Sequence, residues 1–200
     1  MAAASPGLAR FRIILWALVV VAAVAATALF LFRPPPAPVG VTGTPFTLNS
    51  TAGGTFSNAN LKGTPSLVFF GYTFCPDVCP TTMAESVQWR QSLGLKPEQL
   101  RTIFVTVDPA RDTMDVLKTY LTAFDPAIIG LVGSPDQTDA AKASFGVFSE
   151  NGTPDSSGFY TVNHTATVFL IGADGQFKGT IAYGEATDTA LAKIKRLIAG

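Results

Sequence analysis

Ser66-Leu67-Val68-Phe69-Phe70 runs directly into Gly71-Tyr72-Thr73-Phe74-Cys75-Pro76-Asp77-Val78-Cys79-Pro80. The first five residues carry no charge and read as a buried strand. A helix is predicted over residues 81–93, with Pro80 suited to its first position and Gly94 as its stop. The chain's only two cysteines therefore sit on a strand-to-helix turn, four residues apart. One-turn spacing at a helix N-terminus aims both sulfurs at one point, and the helix dipole there favours thiolate over thiol.

Downstream, residues 102–107 form a β-branched run and a second central strand. Asp112 is expected to cap a helix from about 113 to 124, with Val116, Leu117, Tyr120 and Leu121 at helical spacing. A short strand follows at 128–132. Ser134 caps a helix from Pro135 to about 144. Residues 167–171 and 177–183, joined by Ala173-Asp174-Gly175, read as a hairpin, and 187–198 as a closing amphipathic helix. Upstream, Phe46-Thr47-Leu48 and Thr55-Phe56 flank Ala52-Gly53-Gly54, a hairpin signal. Residues 150–160, rich in Gly, Ser, Asn and Asp, read as a mobile surface loop. Strand, helix, strand, helix, hairpin and last helix fit an α/β domain whose sheet is covered on both faces.

The chain has 200 residues, 48% of them hydrophobic, enough for one globular domain plus an appendage. Its formal net charge is zero with 14% charged residues and no basic stripe, which argues against nucleic acid as a partner. Two cysteines do not make a disulfide-rich scaffold.

The appendage is N-terminal. Residues 13–32 form an uncharged apolar run of about 20 residues, long enough at about 1.5 Å per residue to cross a hydrocarbon core of about 30 Å. Trp16 suits an interface, and Arg10 and Arg12 outweigh Arg33, which places residues 1–12 in the cytoplasm and the domain across the membrane, in the periplasm of a bacterium. A cleaved signal peptide is the rival reading, but the run is long for one and ends in Phe30-Leu31-Phe32-Arg33, a poor cleavage site. Residues 33–40, with Pro34-Pro35-Pro36-Ala37-Pro38, form a semi-rigid extended spacer. The globular domain is expected over 41–200.

Cys75 and Cys79 admit four readings. A structural disulfide would close a very short loop and so stabilise little. A closed zinc site wants four N or S ligands, more than two cysteines and one histidine provide. A thiol–disulfide oxidoreductase has Cys-x-x-Cys spacing, one residue shorter than here. Copper suits soft thiolates, and adding the sole histidine, His164, would accommodate Cu(I) or Cu(II). A lone histidine is by default a packed or surface residue. The loop entering the strand at Thr167 can nevertheless face the helix that bears the cysteines.

Gly71-Tyr72-Thr73-Phe74-Cys75-Pro76-Asp77-Val78-Cys79-Pro80, Val107-Asp108-Pro109-Ala110-Arg111-Asp112-Thr113 and Asn163-His164-Thr165-Ala166 together resemble the Sco/SenC family of copper proteins, over about residues 41–198. That resemblance implies a thioredoxin-like fold behind an N-terminal membrane anchor, and copper held by Cys75, Cys79 and His164. It also implies a role in assembling the CuA centre of cytochrome c oxidase. The partners it implies are the oxidase subunit that carries CuA and a copper donor protein. The sequence departs from the family at Phe74, where many members carry His, and at Asn163, where Asp is usual and where Asn is expected to weaken Cu(II) binding slightly. Gly172-Ala173-Asp174-Gly175 replaces a more acidic turn.

Other residues have plainer readings. Asp77, between the cysteines, tunes their charge, meets a partner, or is a solvated turn residue. Asp108 supports the metal loop or turns the chain before Pro109. Arg111 and Asp112 fit a cap and an ion pair, and Met83 fits the core. Three functions follow: a membrane-anchored copper chaperone; a thiol–disulfide reductase that keeps the CuA cysteines reduced, an enzyme for which His164 would be dispensable; and a copper or redox sensor, for which the chain shows no effector domain.

Overall fold

The computed structural model describes residues 6–31 and 42–200, which fall into two compact units. The expected spacer at 33–40 lies outside them. The first unit is helix α1, Pro6–Leu31. Its stretch Arg10–Phe30 spans 21 residues at a mean hydropathy of 2.7, and none of it is buried within the protein. At about 1.5 Å per residue this is about the thickness of a bilayer's hydrocarbon core.

The second unit is built on a seven-stranded mixed sheet. Its strands, in chain order, are β1 (Thr47–Ser50), β2 (Thr55–Ser57), β3 (Ser66–Gly71), β4 (Arg101–Thr106), β5 (Ile129–Val132), β8 (Thr167–Ile171) and β9 (Phe177–Ala182). Two further short strands, β6 (Ser149–Asn151) and β7 (Val162–His164), pair antiparallel in a separate two-stranded sheet. The large sheet runs β2-β1-β5-β4-β3-β8-β9. β3, β4 and β5 are parallel, while β1–β2 and β8–β9 are antiparallel hairpins that extend the sheet on either side. Every residue of β3 is buried, as expected of a central strand covered on both faces. Phe69, Phe70, Phe104, Phe169 and Met83 all lie in the core, as their sequence context suggests.

The helices are α2 (Val78–Ser92), α3 (Met114–Thr122), α4 (Pro135–Phe145) and α5 (Thr187–Ala199). α2 and α3 are the crossovers that make β3–β4 and β4–β5 parallel. α5 packs on β9, β8 and α2; α3 packs on β5 and α4 on β1. α4 starts as its sequence suggests, with Ser134 and Gln137 in a reciprocal capping box and Pro135 at the first position. It ends at Gly146, whose φ of 68° is the left-handed value that glycine adopts without a Cβ penalty.

Three expectations are corrected. α2 begins at Val78, so Pro80 is its third residue and Cys79 lies inside the first turn. Proline is tolerated there because the first-turn N–H groups have no intrahelical acceptor. Thr113, not Asp112, caps α3: its side chain accepts from the N–H of Val116, while Asp112 turns inward and is fully buried. Finally, residues 150–160 are not all loop. β6 takes the first of them into its pairing with β7, and Asp155 ties the turn between by accepting from the N–H groups of Ser157 and Phe159. β6 and β7 are too short to show a period, and no short glycine turn joins them as Ala52-Gly53-Gly54 joins β1 to β2.

Candidate metal centre

The centre sits at the carboxyl ends of β3 and β4, where ligands gather in open α/β sheets. β3 ends at Gly71, and the chain turns through Tyr72–Pro76 into α2, bringing Cys75 to a half-buried position and Cys79 to a fully buried one. A Cβ at Gly71 would lie 2.8 Å from the Cys79 sulfur and 2.8 Å from the Phe69 ring, so the absence of a side chain there lets α2 seat its sulfur against the strand. The motif shows this glycine, but only the packing gives it a reason.

The turn is braced from behind. Asp112 accepts from the N–H of Thr73 at 3.0 Å, from the Thr73 hydroxyl at 2.6 Å and from the Thr106 hydroxyl at 2.6 Å. One buried carboxylate thus ties the cysteine turn to the end of β4. Burial pushes its pKa up, against the three hydrogen bonds, which favour the ionised form.

His164 reaches the cysteines from the far side, at the end of β7. Its Nε2 lies 3.5 Å from the Cys79 Sγ. Its Nδ1 is 3.2 Å from the Thr165 carbonyl. A carbonyl only accepts, so Nδ1 donates to it, and Nε2 is the ring nitrogen that faces the sulfurs. Edge-on contacts with Phe69, at 5.9 Å between centroids, and Tyr72, at 5.8 Å, hold the ring.

The two sulfurs differ electrostatically. The Cys75 Sγ accepts a hydrogen bond from the Cys79 thiol, which against its partial burial, and with the N–H groups of Asp77 and Cys79, draws its pKa from 9.0 down to about 5. Cys79 is pushed up, first by donating to Cys75 and then by burial. The opposite directions are those of a coupled pair in which the first proton leaves Cys75 and the second is held on Cys79.

The ligand atoms of Cys75, Cys79 and His164 lie within 4.8 Å of one another, the one such group of metal-binding side chains among the described residues. Metal–ligand bonds of about 2.0–2.3 Å would set the corners of a three-coordinate site about 3.5–4 Å apart. The trio therefore fits one soft metal ion with small adjustments.

The remaining candidates stand further back. Asp77 is exposed at the N-terminus of α2, with the Tyr183 hydroxyl 3.4 Å from its carboxylate. Asn163 is exposed on β7 opposite Glu150. Asp108 is buried, pairs with Arg111, and accepts from the Tyr160 hydroxyl at 3.0 Å. Phe74, 47% exposed, stands beside Cys75 with its ring 4.9 Å from the Arg111 guanidinium.

Fold and site together define a thioredoxin-like domain that presents two cysteines and a histidine to one point. Its sequence from residue 35 to 199 matches the model of the SCO1/SenC family, and the chain belongs to that family. It is 37% identical over 158 residues to the mitochondrial protein SCO2 of Saccharomyces cerevisiae, covering 78% of this chain and 52% of that one. It is 40% identical over 130 residues to a putative copper-binding protein of Stutzerimonas stutzeri, covering 63% and 62%. The chain thus spans between half and two thirds of the length of these relatives. Among solved structures it resembles copper-bound ScoI of Bradyrhizobium japonicum, with a TM-score of 0.70 and 37% identity over 80% of this chain and 99% of that one. Copper-bound yeast Sco1 gives a TM-score of 0.71 and 33% identity over 78% and 87%.

Proposed function

We propose that this chain is a membrane-anchored copper chaperone that carries one copper ion on Cys75, Cys79 and His164 and delivers it to the CuA centre of cytochrome c oxidase. The observation that carries this reading is the convergence of two sulfurs and an imidazole nitrogen within 4.8 Å. Family relatives named for copper, and copper-bound relatives with the same fold, support the choice of metal. Soft thiolates select Cu(I), and the added imidazole also accommodates Cu(II).

Loading releases the shared proton. Cys75 enters as thiolate, Cys79 gives up its proton as its sulfur binds, and His164 offers Nε2. Delivery reverses this: thiolates of the acceptor replace the three ligands one at a time, and a proton returns to Cys79. A Cys75–Cys79 disulfide has no thiolate to offer, so the redox state gates loading. Residues 13–32 serve as a single-pass anchor in the inner membrane and 33–40 as a spacer. Residues 41–200 form the copper domain, in the periplasm. Its acceptor is the oxidase subunit that carries CuA, and its own copper comes from a donor protein.

Anaerobic Cu(I) titration of the reduced full-length chain in detergent tests the ligand set. One tight copper per chain is expected, abolished in Cys75→Ser and weakened in His164→Ala. Mixing the loaded protein with the metal-free CuA-bearing subunit then tests delivery, read as copper leaving one protein for the other. Thiol–disulfide reduction of the CuA cysteines is the competing activity. It needs both sulfurs but not the imidazole, so full function without His164 would favour it.

A further inference from the structure

β7 does not belong to the main sheet; its partner is β6, in a sheet of two three-residue strands. Such a ribbon is marginal alone, yet it carries His164. Val162 anchors it in the core, at 5% exposed. A second attachment is at Arg111. The Arg111 Nη1 donates to the Tyr160 carbonyl at 2.8 Å, and its guanidinium lies 3.6 Å from the centroid of the Tyr160 ring. Its Nε donates to the buried Asp108, which also accepts from the Tyr160 hydroxyl. On the other side the same guanidinium lies 4.9 Å from the Phe74 ring and 5.6 Å from the Tyr72 ring, the turn that leads into Cys75. Its Nη2 is buried without a hydrogen-bond partner, so the group is held by its flat faces as much as by its N–H groups.

We propose that Arg111 is a positioning residue that clamps the segment leading into His164 against the cysteine turn, so that the imidazole already stands beside the sulfurs before copper arrives. The proposal rests on the reading of His164 as the third ligand. Arg111 touches neither sulfur nor imidazole. It acts by holding Tyr160, four residues before His164, against Tyr72 and Phe74, which precede Cys75. Pre-organisation of this kind raises affinity by removing the ordering cost from the binding step. Asp108 orients the guanidinium and the Tyr160 hydroxyl together, which gives the carboxylate at the end of β4 a role in the centre without contact with the metal.

The test reads the metal-free state directly. His164 is the chain's only histidine, so its labelled ring gives one set of NMR signals in the reduced full-length chain in detergent micelles. Contacts between that ring and the Phe69 and Tyr72 rings are expected in the wild type and in Tyr160→Phe, which keeps the stacked face. They are expected to fall by more than half in Arg111→Ala and Tyr160→Ala. Cu(I) affinity is expected to fall about tenfold in both, and Arg111→Ala is expected to add nothing to His164→Ala. Arg111→Ala strands the buried Asp108 carboxylate. Tyr160→Ala leaves that pair in place, so it decides the matter should Arg111→Ala fail to fold. Intact ring contacts in a folded Tyr160→Ala would overturn the proposal, as would losses that add to those of His164→Ala. Copper binding indifferent to His164→Ala, with the ring contacts behaving as expected, would instead sink the ligand assignment and leave the clamp standing.

Discussion

The Nε2 of His164 stands 3.5 Å from the Sγ of Cys79 across 85 residues of chain. The contact joins the first turn of α2 to the end of β7. Its consequence is that the fold by itself gathers all three donor atoms within 4.8 Å, with the Nδ1 proton on the far side of the imidazole. Little reorganisation is left for the metal to drive.

Gly71→Ala tests how tightly the buried sulfur is seated. The added methyl would meet the Cys79 Sγ and the Phe69 ring at 2.8 Å each. We expect a loss of about 1–3 kcal/mol in denaturant unfolding, together with weaker copper binding as Cys79 is displaced. Unchanged stability and affinity would show that α2 shifts freely, against the packing seen here.

Asp112 invites a pair of substitutions. Asp112→Ala leaves the buried Thr106 hydroxyl and the half-buried hydroxyl and N–H of Thr73 without their acceptor, at an expected cost of about 2–3 kcal/mol. Burial already disfavours the ionised carboxyl, so Asp112→Asn, which keeps an acceptor and sheds the charge, is expected to cost clearly less. Equal losses in the two would mean that the charge itself is what the turn requires.

The depressed pKa of Cys75 has two readouts. Its alkylation by iodoacetamide in the reduced, metal-free chain is expected to rise with a midpoint near pH 5 and to level off well below the ordinary 9.0, with Cys79 spared. Between those two values the folded pair holds one proton and the unfolded pair two. The pair therefore adds stability as pH rises from about 5 toward 9.0, and loses that contribution as pH falls back through 5. Urea midpoints compared with Cys75→Ser across that range should diverge toward high pH; parallel curves would refute the shared-proton state.

Away from the centre, Arg90 at the end of α2 pairs with Asp125 just beyond α3, and both side chains are largely buried. Arg90→Met strands the carboxylate and is expected to destabilise by about 3–5 kcal/mol. Arg90→Met combined with Asp125→Ala should recover part of that loss. Chemical denaturation of the four proteins measures the coupling, and strict additivity would deny it.

Much of this molecule is written locally. Each strand of the main sheet and each helix of the domain is announced by an apolar run, a cap or a stop. Ser134-Pro135 and Gly146 bound α4 because capping depends on a few neighbouring residues. β6 and β7 were not legible, since a three-residue polar strand is defined by its partner. Asp112 was misread for a related reason. Its place before a helix is a capping signature, but two threonines from other segments claimed its carboxylate, and Thr113 next to it could cap instead.

The donor types and the nearness of the two cysteines are properties of the sequence, because a separation of four residues across a tight turn into a helix keeps two sulfurs close. The apolar length of α1 is likewise intrinsic to its residues. The third donor is different. His164 meets the cysteines only because β8 pairs beside β3, and because β7, the cage around Arg111 and the buried Val162 return the chain to the carboxyl end of the sheet. The opposite pKa shifts of the two sulfurs are also decided in three dimensions, first by the hydrogen bond from Cys79 to Cys75, then by the burial of Cys79 and the backbone N–H donors around Cys75. Burial and long-range pairing depend on the whole chain at once, and no local pattern of residues encodes them.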